Sequence, residues 1–310
     1  MPLPHEAVAW ACRILLDREP GAGDALLAEL RECASIRELR ERILSSAEYQ
    51  QKNPDPAWTS ERTLVIREID DRLRLWIDLS DRAIGLNILR GRYELNELDF
   101  IRRTVRPGSH VVDCGAHIGF FAMHLAALVG PAGTVTAFEP FPPNVECLER
   151  SVFENRFGER VRVERAAVAA TTGTGRIVLP PDSTSSGSAF LLRHGDAMPP
   201  GHPSLAVRTV SLDEAGLPRP IAFIKTDIEG AEPLAFRGAE RILREDRPVI
   251  LSELHPYLFD LVAGTTPAAF IAEMRSRGYR AHLLGAGVPG PEIDDSPSSG
   301  VTSVVFLPVD

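Results

Sequence analysis

The sequence predicts an α/β protein: a parallel sheet covered by helices on both faces, preceded by a small all-α module. Three observations carry this. From residue 110 onward, short apolar runs alternate with longer helix-like stretches, the pattern of a doubly wound sheet. Val111 to Gly119, Val-Val-Asp-Cys-Gly-Ala-His-Ile-Gly, reads as a buried strand, a glycine turn and a helix start. The first fifty or so residues carry helical stripes instead. A chain of 310 residues suits one large domain and one small one. The boundary is expected near residue 55, with 1–55 helical and 56–310 forming the α/β domain.

Composition narrows the class. Apolar residues make up 44% and charged residues 25%, an ordinary globular balance. The net charge is −9 and there is no basic block, which argues against an electrostatic nucleic-acid surface. No run approaches about 18 continuous apolar residues, so no membrane span is predicted. Met1 to Trp10 lacks the basic start and apolar run of a signal peptide, and the cytoplasm is the expected location. Cys12, Cys33, Cys114 and Cys147 show no C-x-x-C spacing, so neither a zinc site nor a disulfide framework is expected. Cys114 reads as a small packing residue.

The elements follow in order. Val8, Cys12, Leu15 and Leu16 share one helical face. Leu26, Leu27 and Leu30 form a second stripe after Gly21-Ala22-Gly23, and Ile36, Leu39, Ile43 and Leu44 a third. Ser35 with Glu38 is a capping-box start. His5 reads as a solvated histidine, and Asn53-Pro54-Asp55-Pro56 as a linker. Leu64 to Leu79 alternates apolar and charged residues, a two-stranded pattern turning at Asp70-Asp71. A helix is expected from Asn96 to Val105, closed by Pro107-Gly108. Strands are then expected at 110–114, 134–139, 161–167, 221–227, 248–253, 280–284 and 301–308, with helices at 119–129, 142–155, 231–244 and 266–277. The last strands are expected to close the sheet as an antiparallel hairpin. Between Thr171 and Leu212 a crossover helix is missing. Gly, Ser, Thr and Pro there, with the apolar runs 177–179 and 189–192, predict an insertion that is part hairpin and part mobile loop. Two readings stay open for it: a lid, in which Ser183 to Ser188 would touch substrate, or a flexible surface segment.

The glycine spacing selects the ligand. Asp113, Gly115 and Gly119 give D-x-G-x-x-x-G rather than the G-x-G-x-x-G of a dinucleotide site. A nicotinamide oxidoreductase is thereby disfavoured, and a nucleoside without a pyrophosphate, S-adenosylmethionine, is favoured. Asp113, at a strand end, can accept hydrogen bonds from an amine or a hydroxyl. Glu139 ends the next strand, twenty positions after Gly119, where such folds place the carboxylate that holds a ribose.

Several further words complete a familiar set: Tyr93-Glu94, Ala137-Phe138-Glu139-Pro140, Asn155, Ile224 to Glu232, Gly238-Ala239 and Ser252-Glu253-Leu254-His255. With Val111 to Gly119, in this order and spacing, the chain resembles the FkbM family of S-adenosylmethionine-dependent O-methyltransferases over roughly residues 85 to 260. His117 stands where that family usually has Asn, and Thr226 and Pro233 replace apolar residues. The resemblance implies a seven-stranded Rossmann-like methyltransferase sheet. It implies that Glu94, Asp113 and Gly115 hold the methionine part of the cofactor, with Gly119, His117 and Asp227 alongside. Glu139 would hold the ribose, and Ala166-Ala167 would lie at the adenine edge. Family acceptors are hydroxyls on sugars, polyketides and related natural products. Separately, Ile14 to Pro20 and Ile43 to Tyr49 resemble a small helical domain that recurs in bacterial enzymes of saccharide and surface-polymer assembly. It implies docking to glycan-assembly enzymes through residues 1–55; homo-oligomerisation is also an open expectation.

Methyl transfer to a hydroxyl needs alignment of donor and acceptor and a group to take the proton. His255 is the first candidate base by intrinsic pKa; standing before Pro256, it also suits a structural histidine bonded to the backbone. Asp227, beside Lys225, is the next. Asp227 and Glu253, with His255 as a third ligand, are candidate ligands for Mg²⁺ or Mn²⁺. Lys225, Asp227 and Glu229 also suit a strand-end salt-bridge network. His110, His124, His194, His202 and His282 read as structural or exposed. The expected activity is O-methylation of a sugar hydroxyl in a glycan or glycosylated natural product. A polyketide or peptide hydroxyl is the alternative acceptor, and a non-catalytic cofactor-fold module the alternative class.

Overall fold

The computed structural model describes residues 4–16, 18–19, 21, 25–52, 62–180, 185–193, 195–297 and 300–309. The expectations for the linker 53–56, Ser183, His194 and the side chains of His5, Leu15 and Leu44 fall outside the described residues. The chain divides into two compact units, 1–59 and 60–310.

Among the described residues, the first unit holds four helices: α1 (His5–Leu16), α2 (Ala25–Arg31), α3 (Ile36–Ser45) and α4 (Ala47–Lys52). Its own core is built from Val8, Cys12, Leu16, Leu27, Leu30, Cys33, Leu39 and Ile43. Ile36, expected on the apolar stripe, is instead 71% exposed at the first position of α3. The capping box forms: Ser35 Oγ accepts the Glu38 N–H at 3.2 Å, and the Glu38 carboxylate accepts the Ala34 N–H at 2.8 Å. Arg18 grips Glu48 through two hydrogen bonds of 2.5 and 2.6 Å. That pair joins the two words that carry the saccharide-domain resemblance.

The second unit starts with the hairpin β1 (Leu64–Glu68) and β2 (Arg74–Asp78), whose 3₁₀ turn Asp70–Arg72 lies where Asp70-Asp71 predicts it. Helices α5 (Arg82–Leu89) and α6 (Leu95–Thr104) follow. The α/β repeat then runs β3 (His110–Cys114), α7 (Phe120–Val129), β4 (Thr134–Phe138), α8 (Pro142–Glu154) and β5 (Val161–Glu164). The insertion contributes β6 (Ala167–Val168), β7 (Gly173–Val178), β8 (Phe190–Leu191) and β9 (Ser204–Val210). Next come β10 (Ile221–Thr226), α9 (Glu232–Arg237), α10 (Glu240–Glu245) and β11 (Val249–Leu254). A single turn, α11 (Pro256–Leu258), leads into a π-helical turn at Phe259–Ala263. The chain ends with α12 (Pro267–Ser276), β12 (Tyr279–Gly285), β13 (Val288–Glu292) and β14 (Thr302–Pro308).

The main sheet has eight strands in the order β13-β12-β14-β11-β10-β3-β4-β5. Strands β5, β4, β3, β10 and β11 run parallel, and β14 inserts antiparallel between β11 and β12. The seven expected strands are all present. The eighth, β13, pairs antiparallel with β12 at the edge, where Pro289 and Pro291 are tolerated. Buried apolar residues pack both faces of the sheet. Helix α7 is buried nearly all round, as its almost wholly apolar sequence requires.

Two expected elements are each divided. The run 161–167 ends as a main-sheet strand at Glu164, and β6 joins a separate four-stranded sheet, β6-β9-β7-β8. The insertion is thus mostly sheet, with Ile177 opposite Leu191 and Val178 opposite Phe190. The helix expected over 231–244 breaks at Gly238, where a Cβ would come 2.5 Å from the Ala169 carbonyl oxygen. Asp213 caps the restart by accepting the Arg241 and Ile242 N–H groups at 2.7 and 3.0 Å.

The departures from the family words have local reasons. Thr226 donates its hydroxyl to Ser252 Oγ at 2.8 Å across β10 and β11. Pro233 lies in the first turn of α9, where its missing N–H costs nothing. Asn155 is a clamp: its side chain takes the Arg74 N–H at 2.9 Å and donates to the Arg74 carbonyl, holding β2 to α8. Cys12, Cys33, Cys114 and Cys147 are all buried. Among the described residues, no helix is long and apolar enough to cross a membrane.

Candidate active site

The sheet order reverses at β3, which pairs with β4 on one side and β10 on the other. Ligands in such sheets lie beyond the carboxyl ends of the strands at this switch. Here β3 ends near Asp113, β10 ends at Lys225-Thr226-Asp227, and β11 ends near Glu253. Gly115 takes φ +80 immediately after β3, and a Cβ there would fall 1.9 Å from the Asp227 carbonyl oxygen. The two turns therefore touch through backbone. Gly119 takes φ +94 at the start of α7 against Leu148.

Over these ends lies a cavity of about 390 Å³, within the range of small-molecule sites. Three of its lining residues are non-glycines in the left-handed region: Glu94 (φ 41), His117 (φ 51) and Glu229 (φ 51). Such strain persists only where surrounding structure enforces it, and it concentrates at functional sites.

Charge is concentrated in the same place. Glu94, Glu139, Asp227, Glu229 and Glu253 line the cavity, and Lys225 is the one lysine or arginine among the described lining residues. Lys225 Nζ donates to Asp227 Oδ2 at 3.2 Å and stands 4.6 Å from the centroid of the Phe121 ring. Burial opposes its charge, but Asp227, Glu94, Asp113 and Glu253 outweigh that and hold the ammonium protonated. The acids move the other way. Burial, with Asp227 nearby, lifts Glu253 to about 10 and Glu229 to about 9. Burial, only partly offset by Lys225, lifts Glu94 to about 7. One carboxylate oxygen from each of Glu94, Asp227 and Glu253 lies within 4.8 Å of the others.

Asp113 is fully buried, and neither of its oxygens has a hydrogen-bond partner. Burial lifts its carboxyl to about 6. Glu139, also buried, is better supplied: Oε2 accepts the His117 N–H at 2.9 Å, and Oε1 accepts the Phe141 N–H at 2.8 Å and the Asn144 amide at 3.4 Å. Burial raises its carboxyl as well.

The structure gathers Glu94, Gly115, His117, Glu139, Ala166, Lys225, Asp227 and Glu253 at one cavity, with Asp113 and Gly119 on the turn that shapes it. His255 is the exception. Pro256 opens α11, so His255 takes the cap position, and its Nδ1 accepts the Leu258 N–H at 3.4 Å. The ring is not part of the described cavity lining, and burial lowers its pKa. Glu94, not His255, completes the carboxylate trio with Asp227 and Glu253. Of the other histidines, His124 bonds the Phe120 carbonyl, His110 bonds Thr134, His282 bonds the Gly290 carbonyl, and His202 is half-exposed beside the Pro200 carbonyl.

Sequence reasoning missed Asp81, Asn144 and the precise place of Ser186. Asp81 caps α5 by accepting the Ile84 N–H at 3.1 Å. An acid ahead of Ala83, Ile84, Leu86 and Ile88 was a readable start signal. The contacts of Asn144 and Ser186 are non-local and left no sequence trace.

The profile of the methyltransferase FkbM domain matches residues 113–281, more than half of the chain. A stretch of 113 residues is 36% identical to 31-O-demethyl-FK506 methyltransferase FkbM of Streptomyces tacrolimicus, covering 36% of this chain and 38% of that protein. Another stretch, of 71 residues, is 35% identical to ribosomal RNA large subunit methyltransferase E of Oleidesulfovibrio alaskensis, covering 21% of this chain and 34% of that protein. The chain therefore spans well under half the length of these curated relatives. Among solved structures, a methyltransferase FkbM from Methylobacillus flagellatus overlaps with TM-score 0.38 at 19% identity, covering 68% of this chain and 50% of that one. M. jannaschii TYW2 in complex with AdoMet overlaps with TM-score 0.44 at 13% identity, covering 81% and 89%.

Proposed function

Because the chain belongs to the methyltransferase FkbM domain family, we propose that it is an S-adenosylmethionine-dependent O-methyltransferase acting on a hydroxyl of a sugar in a glycan or glycosylated natural product. The observation that carries the cofactor is Asp113. A buried carboxylate with no hydrogen bond is expensive, and it fits an ammonium such as that of the cofactor's methionine end. The acid surplus of the cavity favours the same cationic ligand, and Glu139 at the end of β4 suits the ribose. The cofactor, when bound, supplies a methyl group on a sulfonium.

The chain's own residues do the rest. Asp227 is the proposed base: it lines the cavity and is fixed by Lys225, which acts as a positioning residue. It takes the hydroxyl proton as the acceptor oxygen bonds to the methyl carbon and the carbon–sulfur bond gives its electron pair to sulfur. Glu94 and Glu253, lifted by burial, hydrogen-bond neighbouring hydroxyls. Phe120, Phe121 and Tyr93 exclude water on one side. An oxygen acceptor agrees with the S. tacrolimicus relative, a 31-O-demethyl-FK506 methyltransferase by name. A carboxylate-lined cavity works against phosphate-bearing acceptors, nucleic acid included. Residues 1–55 are proposed to dock the enzyme near its glycan-assembly partners.

A second reading adds a metal. Three carboxylate oxygens within 4.8 Å are a hard-donor set that suits Mg²⁺ or Mn²⁺ on Glu94, Asp227 and Glu253, where it would polarise the acceptor oxygen. Incubating the protein with labelled S-adenosylmethionine and a panel of glycosides tests both readings, with and without EDTA. Label in a methyl ether supports the activity. Loss of that label in EDTA, restored by Mg²⁺, supports the metal. No transfer to any hydroxyl, with transfer to amines instead, would reject O-methylation.

A further inference from the structure

The insertion does not stand apart from the cavity. Ser185 to Ser188, a short 3₁₀ turn between β7 and β8, lines it directly. This segment is fastened at two places. The first is Asp81, whose Oδ2 accepts the Ser186 N–H at 3.0 Å, the Ser185 hydroxyl at 3.0 Å and the Ser186 hydroxyl at 3.1 Å. The second is the cofactor turn. His117 Nε2 stands 2.8 Å from Ser186 Oγ, and Ser186 Oγ reaches Asn144 Oδ1 at 2.9 Å. Both routes end on one carboxylate: the His117 N–H and the Asn144 amide each donate to Glu139. Ser186, His117, Glu139 and Asn144 thus close a ring of hydrogen bonds. Gly187 lets the segment lie close to α5, since a Cβ there would come 2.6 Å from Ile84 Cδ1.

Hydrogen counting sharpens the ring. A serine hydroxyl has one proton to give, and Asp81 and Asn144 offer only acceptor oxygens to it. With that proton given to either oxygen, His117 Nε2 is the donor to Ser186 Oγ, and it also stands 3.6 Å from Asp81 Oδ2. The other ring nitrogen, Nδ1, is buried without a hydrogen-bond partner. A left-handed His117 held by its neighbours, with one unused ring nitrogen, is arranged for a hydroxyl, which can both donate and accept.

Resting on the methyltransferase reading, we propose that residues 185–188 are a cofactor strap, in which Ser186 is the positioning residue that locks Glu139 and His117 for the ribose hydroxyls, and Asp81 is the anchor that must release before spent cofactor leaves. The strap belongs to the insertion between β6 and β9.

The test is calorimetric titration of S-adenosylhomocysteine into the full-length wild type, Ser186→Ala and Asp81→Asn, with hydrogen exchange followed over residues 185–191. Asn keeps a cap acceptor for α5 but places a donor against the Ser186 N–H. The strap predicts that both variants bind about tenfold more weakly or worse, the scale of one or two lost charged hydrogen bonds, and exchange faster over 185–191, with unfolding temperatures near the wild type's. Wild-type binding with unchanged affinity in both variants overturns the strap and leaves the cofactor reading intact. So does faster exchange with unchanged affinity, which would make Ser186 a purely structural tie. A wild type that does not bind overturns the cofactor reading, and the strap with it.

Discussion

Lys225 and Asp113 stand side by side in register across β10 and β3, yet the Lys225 ammonium bonds Asp227, and the Asp113 carboxylate is left without a hydrogen bond. The site is therefore built over a buried carboxylate that only the nearby charge of Lys225 offsets. Burial lifts Asp113 from the ordinary carboxylate value to about 6. The folded value lies above the unfolded one, so the folded state holds the extra proton between about pH 4 and 6. Stability falls as pH rises through that window, and the penalty is complete above it. Asp113→Asn is expected to flatten this dependence and to unfold no earlier than the wild type at pH 7, while losing cofactor affinity. Thermal unfolding of both proteins from pH 4 to 7 checks it; parallel curves would contradict it.

Glu139 is loaded differently, with three donors already on it. Glu139→Ala should weaken S-adenosylhomocysteine binding at least about tenfold and cost about 1–3 kcal/mol of stability, because two backbone N–H groups lose their acceptor. Calorimetry and urea unfolding read the two effects separately. Intact affinity with lowered stability would reduce Glu139 to a turn-ordering role.

Asp227 and His255 make opposite predictions. Asp227→Asn should lower turnover about 10²-fold or more, a base's share of the rate. His255→Ala should keep most turnover, since its ring caps α11 and the described cavity lining does not include it. Steady-state rates on a methyl-accepting glycoside decide. A large loss in His255→Ala alone would return the base to His255.

Gly115 is a steric prediction. An added Cβ would meet the Asp227 carbonyl oxygen at 1.9 Å, in backbone at φ +80. Gly115→Ala should cost several kcal/mol and abolish cofactor binding together. A variant that melts within a degree or two of the wild type would mean that the two turns separate easily.

The strap has its own pH signature. Burial pushes the Asp81 carboxyl up, but His117, the Ile84 N–H and Ser185 outweigh it and hold it below its ordinary value. Its folded value lies below the unfolded one, so its contribution is present above about pH 4 and lost as pH falls through the lower folded value. Hydrogen exchange over 185–191, corrected for intrinsic rates, should therefore speed up as the Asp81 carboxyl protonates below about pH 4. Exchange no faster at about pH 3 than at neutrality would contradict this.

What could be read from the sequence was local. Asp113, Gly115, Gly119 and Glu139 sit in one strand–turn–helix–strand unit, where spacing alone states the geometry. The capping box of α3 and the Asp70-Asp71 turn were legible for the same reason. Glu94 joining Asp227 and Glu253 was not, because three separate elements bring those carboxylates together. The ring through Ser186 and Asn144 spans even longer separations. The first half of β7 hid behind Gly173 and Gly175, while its Ile177-Val178 end was legible as one arm of a hairpin; β13 hid behind Pro289, Gly290 and Pro291. The helix over 231–244 looked continuous because the Ala169 carbonyl that breaks it at Gly238 lies in another element. His255 before Pro256 was legible both as a base and as a structural histidine bonded to the backbone; what separates the two is its bond to the Leu258 N–H.

The measurement that bears most directly on the central claim is calorimetric titration of S-adenosylhomocysteine into the wild type and Asp113→Ala. Saturable binding of one ligand per chain, weakened at least about tenfold in the variant, is the expected result. No binding to the wild type, or binding indifferent to Asp113, would contradict the account.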